Sequence, residues 1–435
     1  MDWAKPPLRT FYASPAGLGS GESRTSAKAF DSLLPMLKAG DRVILLEGTY
    51  PSTRISLKGT RPHPIQIEAE HPAVNASDLE APITGKALFR NSQLEILDSS
   101  YLRIHGLAFE VDQAEAGNGI TVMRSHHLAF TQNYFHQQSN YGLLLTGDEV
   151  GEVEQVLVER NLFRNMLRDS ESGGIGGVRM DYGLRVHGTR TLLVRDNLFD
   201  GYFNHSLSLK EKVLDVSIQR NRFQVCGQAC IDGGQEPDTV AGTRSTDRTV
   251  SNVVVEDNDF TGQQDGTVGI FARNIERIFV LGNRFTGISE PLRVANWDRN
   301  SRSCERQLYL IGRKLRTCEA GSQLALIGRP TVGVLFERNT IAGDAQIVLA
   351  GRGYADDFLA IRQSSTTGRV MICRRPFIVN GADFNAWVPG LPDWSDAPKL
   401  YYDSTGDFVV QDGNCTGKYL THDCEADRSC ARRNQ

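Results

Sequence analysis

One octapeptide pattern constrains the fold more than any other feature of the chain: branched apolar residues in alternation, closing on Asn-x-Phe. It reads LAFTQNYF to Phe135, VLVERNLF to Phe163, LLVRDNLF to Phe199, VSIQRNRF to Phe223, VVVEDNDF to Phe260 and IFVLGNRF to Phe285, with a weaker copy, VLFERNTI, to Ile341. Where no insertion intervenes it repeats about every 25 residues, a solenoid period. One coil of that size cannot bury its own apolar face and must stack on its neighbours. The asparagines (Asn133, Asn161, Asn197, Asn221, Asn258, Asn283 and Asn339) suit a tight corner, because Asn tolerates the left-handed region and its side chain can bond the next coil's backbone. The phenylalanines then stack inside. No leucine-rich spacing is present, and a propeller needs a longer repeat of about 40 residues. The pattern predicts an all-β chain, a right-handed parallel β-helix.

A solenoid needs caps at both ends. The segment SAKAFDSLLPMLKAGDRVILLEGTY predicts a short amphipathic helix with Phe30, Leu33, Leu34 and Leu37 on one face, then a Gly turn and the first strand. The expected organisation is an N-terminal segment and capping helix over 1–42, the β-helix over 43–360, and a disulfide-pinned C-terminal cap over 361–435. Of the eight cysteines, several lie in Gly-, Asp- and Arg-rich loops. They read as disulfides, which places the chain in a secreted or periplasmic compartment. A formal net charge of −4 gives no global attraction to nucleic acid, and no apolar run is long enough for a membrane span. The expected state is a monomer.

The entry segment FYASPAGLGSGES, the capping stretch, ISLKG, PIQIEAE and the serial Asn-x-Phe coils resemble the right-handed β-helix polysaccharide-active proteins over about residues 10 to 345. Within them the chain looks most like polysaccharide lyase family 6, the alginate lyase and chondroitinase B group. That resemblance implies β-elimination of a uronic-acid polymer, with a lysine as base, an arginine on a neighbouring coil as acid or stabiliser, and often calcium. Lys210, in SLKEKVLDVSIQRNRF, is the matching lysine, with Lys212 the alternative if the register slips by two. The next coil carries IDGGQE where the family's arginine is expected, so the nearest match, Arg273, lies one coil further on, about 10 Å from Lys210 by coil spacing. The stretch Phe203 to Leu209 contains no acid where the family has calcium-binding glutamates. No cofactor is certain, and calcium stays open.

The charges support a site in the same place. Lys210, His187, Arg273 and Arg124 all fall at or just after the first strand of their coil, and Asp232 and Arg293 belong to coils with insertions. Coils about 4.8 Å apart would align these side chains in one outward row. Stacked like charges repel, so such a row asks for an anionic partner. Insertions at 234–249 and 297–330, the latter holding Cys304 and Cys318, and another that ends at Tyr182 would wall a groove. Lys210, Arg273 and His187 are the catalytic candidates. Arg293, Arg124, Asp232, Lys212 and Tyr182 are candidates for binding an anionic polysaccharide.

Bland readings stand beside these. Lys210 to Lys212 fits a solvated turn, His187 a turn closure, and Arg124 and Arg293 surface ion pairs. Arg273 can pair with Glu276, Asp232-Gly233-Gly234 reads as a turn, and His126-His127 as a structural pair. Other functions also stay open: a C5-epimerase, a non-catalytic glycan-binding β-helix, and a hydrolase. Epimerase-type Asp-Pro-His-Asp is absent, and a hydrolase needs paired carboxylates that the ladder row lacks.

Overall fold

The computed structural model describes residues 6–75, 77–82, 86–111, 118–136, 141–165, 182–201, 205–226, 229–234, 250–262, 267–273, 275–296, 332–351, 359–375, 378–379, 382–383 and 401–414. The chain divides into two compact units. One comprises 1–168, 176–208 and 212–227, and the other 169–175, 209–211 and 228–435.

In the first unit each coil contributes three short strands, and equivalent strands of successive coils pair in parallel. The middle row runs from Ile65–Ala69 through Ser100–His105, Ser125–Thr131, Val153–Glu159 and Thr189–Arg195 to Val213–Gln219. The second unit repeats the scheme. Ala229–Gly233, Val268–Arg273, Glu290–Asn296 and Ala345–Gly351 form one row, and Val250–Glu256, Ile275–Leu281 and Val332–Glu337 another. Parallel pairing continues through Leu359–Arg375 to Tyr401–Asn414, past the point where the sequence repeat fades. Cys415, Cys424 and Cys430 lie outside the described residues, as do Cys304 and Cys318.

The Asn-x-Phe signature resolves into two stacks. Asn133 N–H donates to Asn161 Oδ1 at 2.9 Å, Asn161 N–H to Asn197 Oδ1 at 2.9 Å, and Asn197 N–H to Asn221 Oδ1 at 3.0 Å. In the second unit Asn258, Asn283 and Asn339 repeat the pattern. The left-handed residue at each corner, however, is not the asparagine but the one before it: Gln132, Arg160, Asp196 and Arg220 have φ of 50–55°. The asparagine is instead fully committed to bridging coils, since its amide also donates to backbone carbonyls of its own and the preceding coil. Beneath it the rings of Phe109, Phe135, Phe163, Phe199 and Phe223 stack nearly parallel, with centroids 4.6–5.2 Å apart.

The capping helix is shorter than the sequence predicts. It spans Phe30–Leu33 and passes into a 3-10 turn at Leu34–Met36, where Pro35 supplies no backbone donor. Phe30 and Leu33 are buried while Leu34 and Leu37 are only half-buried. Phe30 closes the aromatic stack edge-on against Tyr50.

One outward-facing group makes the first unit acid-sensitive. Burial, and then the neighbouring Arg103 guanidinium, pull His105 down to about 4. Its Nδ1 lies 3.1 Å from Arg103 Nη2 and 2.8 Å from Thr131 Oγ1, so it accepts from Arg103 only while neutral. With its native value below the ordinary 6.5, the unfolded chain binds this proton first as pH falls. The stabilisation is complete above pH 6.5 and is lost progressively down to about pH 4. It amounts to roughly 3 kcal/mol as an order of magnitude. Urea unfolding between these pH values should show that much less acid loss in His105→Gln than in the parent, and equal acid loss in both would refute the assignment.

Candidate functional site

The second unit builds a charged cluster on the outward face of its first strand row. Register places Asp232 beside Phe271 and Phe271 beside Arg293. Ile231, Ile270 and Leu292 alternate with them and fill the interior. Arg273, two residues beyond Phe271, shares its face. Lys210 enters at the strand end, where Gly234 N–H donates to Leu209 O at 2.7 Å. Gly234 has a φ of +88°, and a Cβ there would overlap the Arg273 carbonyl, so only glycine allows this approach. The expected Asp232-Gly233-Gly234 turn is thus a strand end, with Asp232 and Gly233 inside Ala229–Gly233.

The contacts are specific. Lys210 Nζ donates to Asp232 Oδ2 at 2.8 Å, and Arg273 Nη2 donates to Asp232 Oδ1 at 2.5 Å. Asp232 is 0% exposed, Arg273 1% and Lys210 6%, so Lys210 does not sit in a solvated turn. Phe271 carries the Arg273 guanidinium 4.6 Å from its ring centroid and that of Arg293 at 5.4 Å. Arg293 Nε donates to Glu290 Oε2 at 2.6 Å, while its Nη2 is buried without a hydrogen-bond partner among the described residues. Burying the Lys210–Asp232–Arg273 triad yields little net stability, but removing one member costs about 3–5 kcal/mol. Its value is to fix the position of three side chains.

Arg273 pairs with Asp232, and Glu276 is joined by Arg277 at 3.9 Å. The outward row is also not a run of bare cations: Asp232 neutralises the gap that separates Lys210 from Arg273 in the sequence. Lys210, the base candidate, therefore has a carboxylate beside it.

The first unit places Tyr182 and His187 in a second cluster, around Arg185. The Arg185 guanidinium lies 4.6 Å from the Tyr182 ring centroid and 5.2 Å from that of Tyr141. Its Nε donates to His187 Nε2 at 2.8 Å and its Nη1 to Tyr141 Oη at 3.2 Å. His205 packs against Tyr182 with ring centroids 5.6 Å apart. Arg124 is exposed and held by Asp98 through two hydrogen bonds, and Lys212 bonds Glu149 and the Asp148 carbonyl. His126 and His127 face each other through Nδ1 atoms 2.7 Å apart, with Tyr101 stacked on His127. Sequence reasoning missed Arg185, Tyr141, His205, Phe271 and Glu290. For Arg185 the signal was present: alternation in YGLRVHG puts Arg185 and His187 on one face.

Calcium, which the family resemblance implies, does not fit this cluster, because each Asp232 oxygen already accepts from a cation. Among the described residues no group of three His, Cys, Asp or Glu side chains is placed to hold a metal ion. Cys226 and Cys230 are joined in a disulfide. Among the described residues no helix is long and apolar enough to cross a membrane.

The family described as the right handed beta helix region matches residues 92–285. The fold is a right-handed parallel β-helix. Solved structures of the same kind include a GH136 lacto-N-biosidase from Eubacterium ramulus, with a TM-score of 0.50 and 12% identity over 93% of this chain and 68% of that one. An alginate lyase from Paenibacillus sp. str. FPU-7 gives 0.42 and 12% over 93% and 98%. A PL6 family polysaccharide lyase from Pseudopedobacter saltans gives 0.45 and 13% over 92% of each chain. No curated protein matches the sequence. At 12% identity the likeness to the lacto-N-biosidase speaks for the fold alone.

Proposed function

We propose that this β-helix acts on an anionic, uronic-acid-containing polysaccharide and cleaves it by β-elimination. The observation that carries this reading is the buried Arg293 Nη2, which has no acceptor among the described residues. A guanidinium N–H in that position calls for an anionic oxygen, and a sugar carboxylate supplies one with matching planar geometry. Arg293 then neutralises the carboxylate, which acidifies the C5 proton.

Lys210 and Asp232 act together as the base. The C5 proton passes to Lys210 Nζ while Nζ passes a proton to Asp232 Oδ2, 2.8 Å away. The C5–H electron pair becomes the C4–C5 double bond, the C4–O4 bond breaks, and the dyad returns a proton to O4. Arg273 orients Asp232 through the other carboxylate oxygen and stabilises developing charge. The Cys226–Cys230 disulfide supports a secreted or periplasmic setting, where such polymers are met.

The test is a panel of alginate, glucuronan, pectate and glycosaminoglycans, read by ultraviolet absorbance of the new double bond and run in EDTA. Because the Asp232 oxygens are taken by cations, chelation should leave the rate unchanged. Chain cleavage with new reducing ends but no absorbance would replace elimination by hydrolysis. No change in any polymer would remove the enzymatic reading.

A further inference from the structure

In the first unit many arginines are matched to carboxylates. Arg9 meets Asp41, Arg54 meets Glu95, Arg103 meets Glu68, Arg164 meets Asp200, Arg195 meets Glu159 and Arg220 meets Asp196. Arg42, Arg61 and Arg160 have no such partner among the described residues, and neither does Arg185. Arg185 is half-buried. Its surroundings are instead two tyrosine rings and a neutral acceptor, the Nε2 of His187. That imidazole nitrogen can accept only in the tautomer carrying its proton on Nδ1.

The guanidinium is therefore held at fixed angle by the rings and by two hydrogen bonds, with no carboxylate on it among the described residues. Nε and one Nη1 hydrogen are committed, while Nη2 and the second Nη1 hydrogen form the remaining edge of the fork. A rigid fork of this kind matches a planar carboxylate in bidentate fashion.

We infer that Arg185, oriented by His187 and Tyr141, is a carboxylate-binding site on the first unit that takes a uronic-acid sugar chain. The inference rests on the proposed function and adds to it: the first unit offers its own fork for a sugar carboxylate, so the polymer it takes is a polyuronate. Arg185 is a binding residue here and His187 a positioning residue.

The test measures binding separately from cleavage, by affinity electrophoresis in gels containing polyuronate or a sulfated, carboxylate-free polysaccharide. Arg185→Met keeps the stem against the tyrosine rings and should weaken polyuronate binding by about 10- to 100-fold. Arg185→Lys keeps the charge but not the fork and should restore only a small part. His187→Phe removes the orienting acceptor and should weaken binding less than Arg185→Met. Circular dichroism checks that each variant is folded. Polyuronate binding equal to the parent in Arg185→Met, with binding lost in Arg293→Met, overturns the subsite and leaves the proposed function standing. Full rescue by Arg185→Lys, or equal retardation by the sulfated polymer, overturns the carboxylate fork. If the parent binds no polyuronate, both readings fall.

Discussion

Asn161→Ala should destabilise the first unit by about 3–5 kcal/mol, far more than the loss of one polar side chain on a surface. Asn161 is fully buried, and its side chain serves three coils. Its Oδ1 accepts from Asn133 N–H at 2.9 Å and Asn133 Nδ2 at 3.0 Å. Its Nδ2 donates to Phe130 O at 2.9 Å and Asn197 Oδ1 at 2.9 Å. Alanine would leave two donors and two acceptors buried without these partners, each costing about 1–3 kcal/mol before relaxation. Water cannot easily replace the amide between stacked coils. Asn161→Ser should be milder. At the far end of the second unit's ladder Ser364 Oγ already fills the place of an asparagine, accepting from Asn339 N–H at 3.2 Å. Because a solenoid couples mainly to nearest neighbours, hydrogen exchange should localise the damage to the coils around residues 130 to 200, with more distant coils keeping their protection. Uniform exchange along the unit, or a stability change within about 0.5 kcal/mol, would show that the ladder is ornamental.

The same ladder shows why the architecture was legible and its corner geometry was not. Repetition at fixed phase forces identical residues into one stack, so Asn-x-Phe announces both the coil and its interior. The left-handed corner residues carry no such mark, because Gln132, Arg160, Asp196 and Arg220 are not of one residue type. Each tolerates a cost of about 1–2 kcal/mol, offset by the adjoining asparagine bonds. The site shows the same division. Lys210 and Arg273 could be placed on one face by counting within coils. That Asp232 lies between them, accepting from both, follows from side-chain reach across coils that no alternation pattern encodes. Arg185 was equally placeable by alternation. Its lack of a carboxylate among the described residues could not be read, since that requires knowing every neighbour in three dimensions.

Lys210→Arg is the sharper test of the proposed chemistry, and it should reduce turnover of the susceptible polymer by about 10²- to 10⁴-fold while leaving polymer binding near the parent value. Arginine can still donate to Asp232, so the buried pair need not be broken. A guanidinium does not give up its proton at any pH the fold survives, so it cannot take the C5 proton. Lys210→Ala should lose activity to the same extent, but it also leaves the Asp232 carboxylate, 0% exposed, with one cation fewer, and some loss of stability is expected alongside. Comparing the two variants separates proton transfer from structure. If both lose turnover and only Lys210→Ala loses stability, the lysine acts chemically. If Lys210→Arg cleaves like the parent, Lys210 is a structural cation paired with Asp232, and the base must be sought elsewhere on the outward face. If Lys210→Arg instead loses binding in step with turnover, the cluster reads the polymer without reacting with it, and the β-helix is a glycan-binding scaffold.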